Sequence, residues 1–169
     1  MITRILPPEA VHQGDLILVN AHHPCHPLPQ PDLVTVAGTS VQLERRAAQA
    51  LDSLMAAIDG WKGIVPVSGW RALAEQQAIW DGSLAENGLP FTQTYVACPG
   101  CSEHQTGLAI DLGLNQGEID FIRPAFPYEG LCQTFRQTMA QYGWVQRYPA
   151  GKEAITGIGH EPWQIGRAS

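Results

Sequence analysis

The chain has 169 residues, 44% hydrophobic and 15% charged, which is the make-up of one ordinary globular domain over 1–169. Its formal charge of −6 argues against the clustered Lys and Arg of a nucleic-acid groove. The sequence has no apolar run of signal-peptide or membrane-span length. Cytoplasmic residence is therefore the expectation, with the four cysteines (Cys25, Cys98, Cys101, Cys132) as thiols rather than a disulfide framework.

In chain order, GDLILVN (14–20) predicts a short buried strand. AHHPCHPLPQPD follows, and its four prolines forbid regular helix. His22, His23, Cys25 and His26 in that loop look like a metal cluster, but their close spacing favours a plain surface loop. The stretch 40–60 predicts a helix capped by Thr39 or Ser40 and stopped at Gly60, with Leu43, Ala47, Leu51, Leu54 and Ile58 on one stripe. A strand is expected at 63–70 and a second helix at 71–88. In GLAIDLGL (107–114), Leu108, Ile110 and Leu112 alternate with Ala109, Asp111 and Gly113. A third helix is expected at 131–143, with strands at WVQRY and HEPWQI. Helices and strands mixed without strict βα alternation imply an α+β fold with a mostly antiparallel central sheet flanked by helices.

Asp111 is the anomaly in its strand. A carboxylate on a half-buried strand is costly unless paired or bound to a metal, and its neighbours on that face are small. His104, in the loop feeding the strand, can fold back to the same point. Spacing alone leaves two readings open: a pair of zinc ligands, or a His–Asp hydrogen bond tethering loop to strand. In CPGCSEH, Cys98 and Cys101 read as small residues shaping the loop, since no second C-x-x-C exists to complete a structural zinc site. The tryptophans read mostly as core, but Trp70, beside Arg71, and Trp163, beside Gln164, are candidate pocket walls.

SEHQTGLAID (102–111) resembles the S-x-H-x-x-G-x-A-x-D signature of the zinc D-Ala-D-Ala carboxypeptidases and dipeptidases of the VanY/VanXY type. VSGWR (67–71), RALAEQ (71–76) and YPAGKEAITGIGHEPW (148–163) resemble three further family stretches in the expected order, so the similarity runs from about residue 14 to Trp163. The resemblance implies a D,D-peptidase-like fold, shared with the hedgehog signalling domain. It implies Zn²⁺ as cofactor and a small peptide substrate: a peptidoglycan stem peptide or D-Ala-D-Ala. It makes His104 and Asp111 zinc ligands, Glu161 the general base, Arg71 the stabiliser of the oxyanion, and Ser102 and Gln76 substrate-binding residues.

Two departures from the family pattern stand out. Gln164 occupies the position of the third zinc-ligating histidine, and the chain ends at IGRAS where the family continues with a further strand and helix. An amide oxygen is a poorer zinc ligand than imidazole. His160 is the nearest substitute, but on a regular strand it faces away from Glu161. The alternatives are therefore a catalytically silent member that keeps a muropeptide-binding cleft, and a structural zinc-site protein on the same fold.

Overall fold

A computed structural model of the chain describes residues 17–25, 30–36 and 38–167. Its elements are β1 (Leu33–Thr35), β2 (Gln42–Glu44), α1 (Arg45–Ala57), β3 (Ile64–Ser68), α2 (Leu73–Tyr95), β4 (Ala109–Leu114), α3 (Gly130–Met139), β5 (Trp144–Tyr148), α4 (Glu153–Thr156) and β6 (Glu161–Arg167). β1 and β2 form a small antiparallel pair. The other strands make one antiparallel sheet in the order β3-β4-β6-β5, as the mixed α+β pattern predicts.

The alternation in β4 decides which side of the sheet becomes core. Ile110 and Leu112 are fully buried in one cluster with Ile165 and Trp144. Leu51, Leu54 and Met55 of α1 and Phe135 of α3 close over them, burying apolar stripes at helical spacing. Asp111 points the other way. Cross-strand partners share a face, so the pairings Ser68↔Asp111 and Asp111↔Gln164 lay three polar residues in a row across β3, β4 and β6.

The helix boundaries differ from those expected from the sequence. Residues 42–44 are extended rather than helical, because their backbone finds better partners outside a helix. Trp70 N–H donates to Gln42 O at 2.7 Å and Glu44 N–H donates to Gly107 O at 2.9 Å, while Leu43 is fully buried. The cap of α1 is consequently Glu44, whose carboxylate accepts from the N–H groups of Arg46 and Ala47, and not Thr39 or Ser40. The second helix continues to Tyr95 after a break at Gly88 (φ 78°), with Pro90 in the first turn of the resumed segment.

The strand expected at 14–20 is not formed at 17–19; Asn20 makes only an isolated bridge with His23, and residues 14–16 lie outside the described residues. In the histidine-rich loop, Asn20 Oδ1 closes a turn by accepting from His22 and His23 N–H. Cys25 N–H ties that loop to Gly100 O at 2.7 Å. His26 lies outside the described residues. No helix among the described residues is long and apolar enough to cross a membrane.

Candidate active site

The polar row of the sheet opens into a cleft of about 40 Å³, lined by Arg71, Gln76, Ser102, His104, Asp111, Glu161 and Gln164 together with Trp163. The candidate catalytic, metal-ligating and substrate-binding residues named from the family pattern therefore all reach one cavity. Trp70 does not; it lies in a separate groove beside Gln42 and Gly69.

His104 sits in the 310 turn Glu103–Thr106, which ends at Gly107 in the left-handed region (φ 73°). A Cβ on Gly107 would sit 3.0 Å from Glu44 N, so the residue there must be small as well as left-handed. His104 Nδ1 is 2.6 Å from Gly69 O, which assigns the Nδ1 proton to that carbonyl and leaves the Nε2 lone pair to the cleft. Nε2 lies 3.3 Å from Asp111 Oδ2 without a hydrogen bond, and both His104 Nε2 and Asp111 Oδ1 are buried with no partner. A buried imidazole nitrogen and a buried carboxylate oxygen, converging and both without a hydrogen-bond partner, suit a cation.

Arg71, also buried, balances the Asp111 charge. Its Nη2 donates to Asp111 Oδ2 at 3.1 Å, its Nε to Ser68 Oγ at 3.0 Å and its Nη1 to Gln76 Oε1 at 2.9 Å. N–H donors remain on both Nη atoms for a ligand in the cleft. Gln76 has both ends of its amide engaged, since its Nε2 donates to Ala97 O at 2.8 Å. Its place is that of a strut between Arg71 and the cleft rim.

Glu161 reaches the cleft through an irregularity in β6. Two steps along β5, from Gln146 to Tyr148, span four along β6, from Ile165 to Glu161. Strict alternation does not hold through this stretch, and Glu161 and Gln164 both line the cavity. Burial pushes the Glu161 carboxyl up to about 9, with the charges of Asp111 and Glu103 adding to the effect and Arg71 opposing it. The irregularity does not bring in His160. That ring stacks on Tyr128, with its Nε2 2.8 Å from the Tyr128 hydroxyl, and it lies outside the cleft, so it cannot stand in for a third ligand.

Glu103, which the sequence reading passed over, is buried beside these residues. Its carboxylate accepts from Arg147, from the Tyr148 hydroxyl and, at 2.7 Å, from Gln164 Nε2. The S-E-H order hinted at it, but its partners lie more than forty residues away in sequence. The donor set for a metal thus fits at His104 and Asp111 and departs at Gln164; among the described residues no group of three His, Cys, Asp or Glu side chains forms a ligand set. The cysteines at 98 and 101 are free and bracket a turn in which Cys101 N–H donates to Cys98 O at 2.9 Å.

Residues 40–166 match the family model described as VanY, D-alanyl-D-alanine carboxypeptidase. The chain is 43% identical over 154 residues to the bifunctional D-Ala-D-Ala dipeptidase and D-Ala-D-Ala carboxypeptidase VanXYC of Enterococcus gallinarum, covering 89% of this chain and 81% of that one. Among solved structures, the vancomycin-resistance D,D-dipeptidase VanXYg, crystallised with a D-Ala-D-Ala phosphinate analogue, matches with a TM-score of 0.92 and 48% identity. That match covers 97% of this chain and 66% of the VanXYg chain. A variant of the D,D-pentapeptidase VanY from the VanB-type resistance cassette, in complex with Zn(II), matches with a TM-score of 0.77 and 27% identity over 92% of this chain and 88% of that one.

Proposed function

Because the chain belongs to the VanY family of D-alanyl-D-alanine carboxypeptidases, we propose that it hydrolyses D-Ala-D-Ala or removes the C-terminal D-Ala of peptidoglycan precursor peptides. The observation that carries this reading is the convergence of Arg71, His104, Asp111, Glu161 and Gln164 on one buried cleft.

The cofactor in this proposal is Zn²⁺, which His104 Nε2, Asp111 and the amide oxygen of Gln164 would hold. When bound, such an ion polarises a carbonyl and lowers the pKa of its water to about 7. The chain's own residues do the rest. Burial raises the Glu161 carboxyl to about 9, and its ionised form would be favoured beside a bound cation. As carboxylate, Glu161 accepts the proton of the attacking water and passes it to the departing amine of D-alanine. Arg71, fixed by Ser68, Gln76 and Asp111, directs its remaining N–H groups at the oxygen that gains charge, a contribution of roughly 3 kcal/mol to the barrier. Ser102, buried at the cleft wall, is assigned to the substrate's polar groups, and Gln76 acts by orienting Arg71.

A second reading is supported by one observation: the Gln164 amide is engaged by Glu103 and is not an imidazole. On that reading the chain binds muropeptide-like ligands without hydrolysing them. Zinc stoichiometry and D-alanine release from D-Ala-D-Ala and from a pentapeptide precursor, measured for the protein and for Gln164→His, separate the two. Near-stoichiometric zinc with turnover in the unaltered protein supports the hydrolase. Zinc and turnover only in Gln164→His support the silent scaffold. Zinc binding by neither protein overturns the metal-site assignment.

A further inference from the structure

Glu103 has no part in the chemistry above, yet it is buried in the cleft wall and touches the one residue at which the ligand set departs from the family. We propose that Glu103 is a positioning residue that fixes which end of the Gln164 amide faces the cleft, making Gln164 an oxygen donor to a divalent cation. This rests on the metal-site reading given above.

The argument is one of donors and acceptors. An ionised carboxylate only accepts. Glu103 Oε1 takes both Arg147 donors, and Oε2 takes the Tyr148 hydroxyl and Gln164 Nε2. Burial, then the charge of Glu103, raises the Tyr148 phenol well above its ordinary range, so its hydroxyl remains a donor. With the NH₂ end of Gln164 committed to Glu103, its Oε1 is the end left for the cavity that it shares with His104 and Asp111. Reversing the amide would set Oε1 against a carboxylate oxygen, two buried acceptors facing each other.

The clamp is itself anchored. Arg147 reaches Glu103 along Gly166, where a Cβ would sit 2.5 Å from Arg147 Cδ, so glycine leaves the passage open. Asp111 and Gln164 are direct partners in the β4–β6 ladder, so the two oxygen donors lie side by side. The resulting set, one imidazole nitrogen and two oxygens, is harder than a set with two imidazoles. It narrows the preference for Zn²⁺ over Mn²⁺, although Zn²⁺ still binds more tightly.

Competition titration against a chromophoric chelator, with Zn²⁺ and with Mn²⁺, tests the proposal. In Glu103→Gln the new carbonyl turns to Arg147, so an NH₂ faces residue 164, and the Gln164 amide must reverse. Zinc affinity is expected to fall about tenfold or more. Adding Gln164→Glu to that variant restores an acceptor opposite the new NH₂ and a free oxygen in the cleft, so affinity returns to at least the original. Gln164→His is expected to bind zinc more tightly and to widen the Zn²⁺/Mn²⁺ ratio.

Unchanged affinity in Glu103→Gln overturns the proposal. So does failure of the double variant to recover while Gln164→His binds zinc; the hydrolase reading survives both outcomes. No zinc binding by Gln164→His removes the metal site and the proposal with it. If Glu103→Gln does not fold, NMR on the unaltered protein decides. Zinc should shift the Gln164 Cδ signal and leave its NH₂ protons slowly exchanging; loss of that protection, or no Cδ shift, overturns the clamp.

Discussion

Glu161 and Gln164 line the same cleft although three positions separate them on β6, in a stretch where the register with Gln146–Tyr148 is irregular. The chemistry depends on this irregularity. Without it the carboxylate and the amide would lie on opposite faces, one of them in the apolar core.

The burial of Glu161 predicts a pH-dependent stability for the metal-free protein. Its folded-state value of about 9 lies above that of an unfolded glutamate, roughly 4.3. Between those values the folded chain holds a proton that the unfolded chain has released. The contribution is therefore fully present below the unfolded value and is lost as pH rises towards about 9. Melting of chelator-treated protein should show a falling Tm across this window, with a slope of at most ~1.4 kcal/mol per pH unit from this group. Glu161→Gln should flatten it. An equal slope in both proteins would mean that the carboxyl is solvated.

Gly69 supports His104 through its carbonyl and occupies a place where no side chain fits. A Cβ there would lie 2.3 Å from Gln42 O and 2.7 Å from Val41 Cγ1. Gly69→Ala must move β2 or the 69–71 segment, at a cost of roughly 1–3 kcal/mol in urea unfolding. It should also weaken metal binding about tenfold by displacing the carbonyl that orients the imidazole. A stability loss with unchanged metal affinity would show that His104 holds its orientation without Gly69.

The site was legible where local pattern carries it. Asp111 stands out against the alternation of its strand, and the ordered motifs place His104, Arg71 and Glu161 near it. What the pattern could not give was set by pairing across the chain. The extra residues of β6 are defined by β5, so the sequence alone placed Glu161 by motif and not by geometry. Glu103 drew no notice because Arg147 and Tyr148, which make it a buried acceptor, come from β5. The start of α1 was missed for a related reason: helical periodicity runs through 42–44, but backbone partners at Trp70 and Gly107 hold those residues extended. The place of His160 is likewise set by a distant partner, Tyr128, on which its ring stacks.

Arg136 is predicted to hold the β6 irregularity in place. From α3 its Nη2 donates to Phe126 O and, at 3.2 Å, to Pro162 O, while Nη1 donates to Pro127 O. Its guanidinium also lies 3.9 Å from the centre of the Tyr128 ring, the ring on which His160 stacks. One planar fork thus joins the 126–128 loop to the residue that follows Glu161. Arg136→Gln leaves carbonyls without donors and should lower stability by roughly 2–3 kcal/mol in urea unfolding. Arg136→Lys keeps the charge but not the fork, and should recover only part of that loss. Freed from the clamp, Pro162 lets Glu161 approach solvent, so the pH slope predicted above should shrink in Arg136→Gln. Stability within about 0.5 kcal/mol of the original, with the slope intact, would show that β5 pairing alone holds the irregularity.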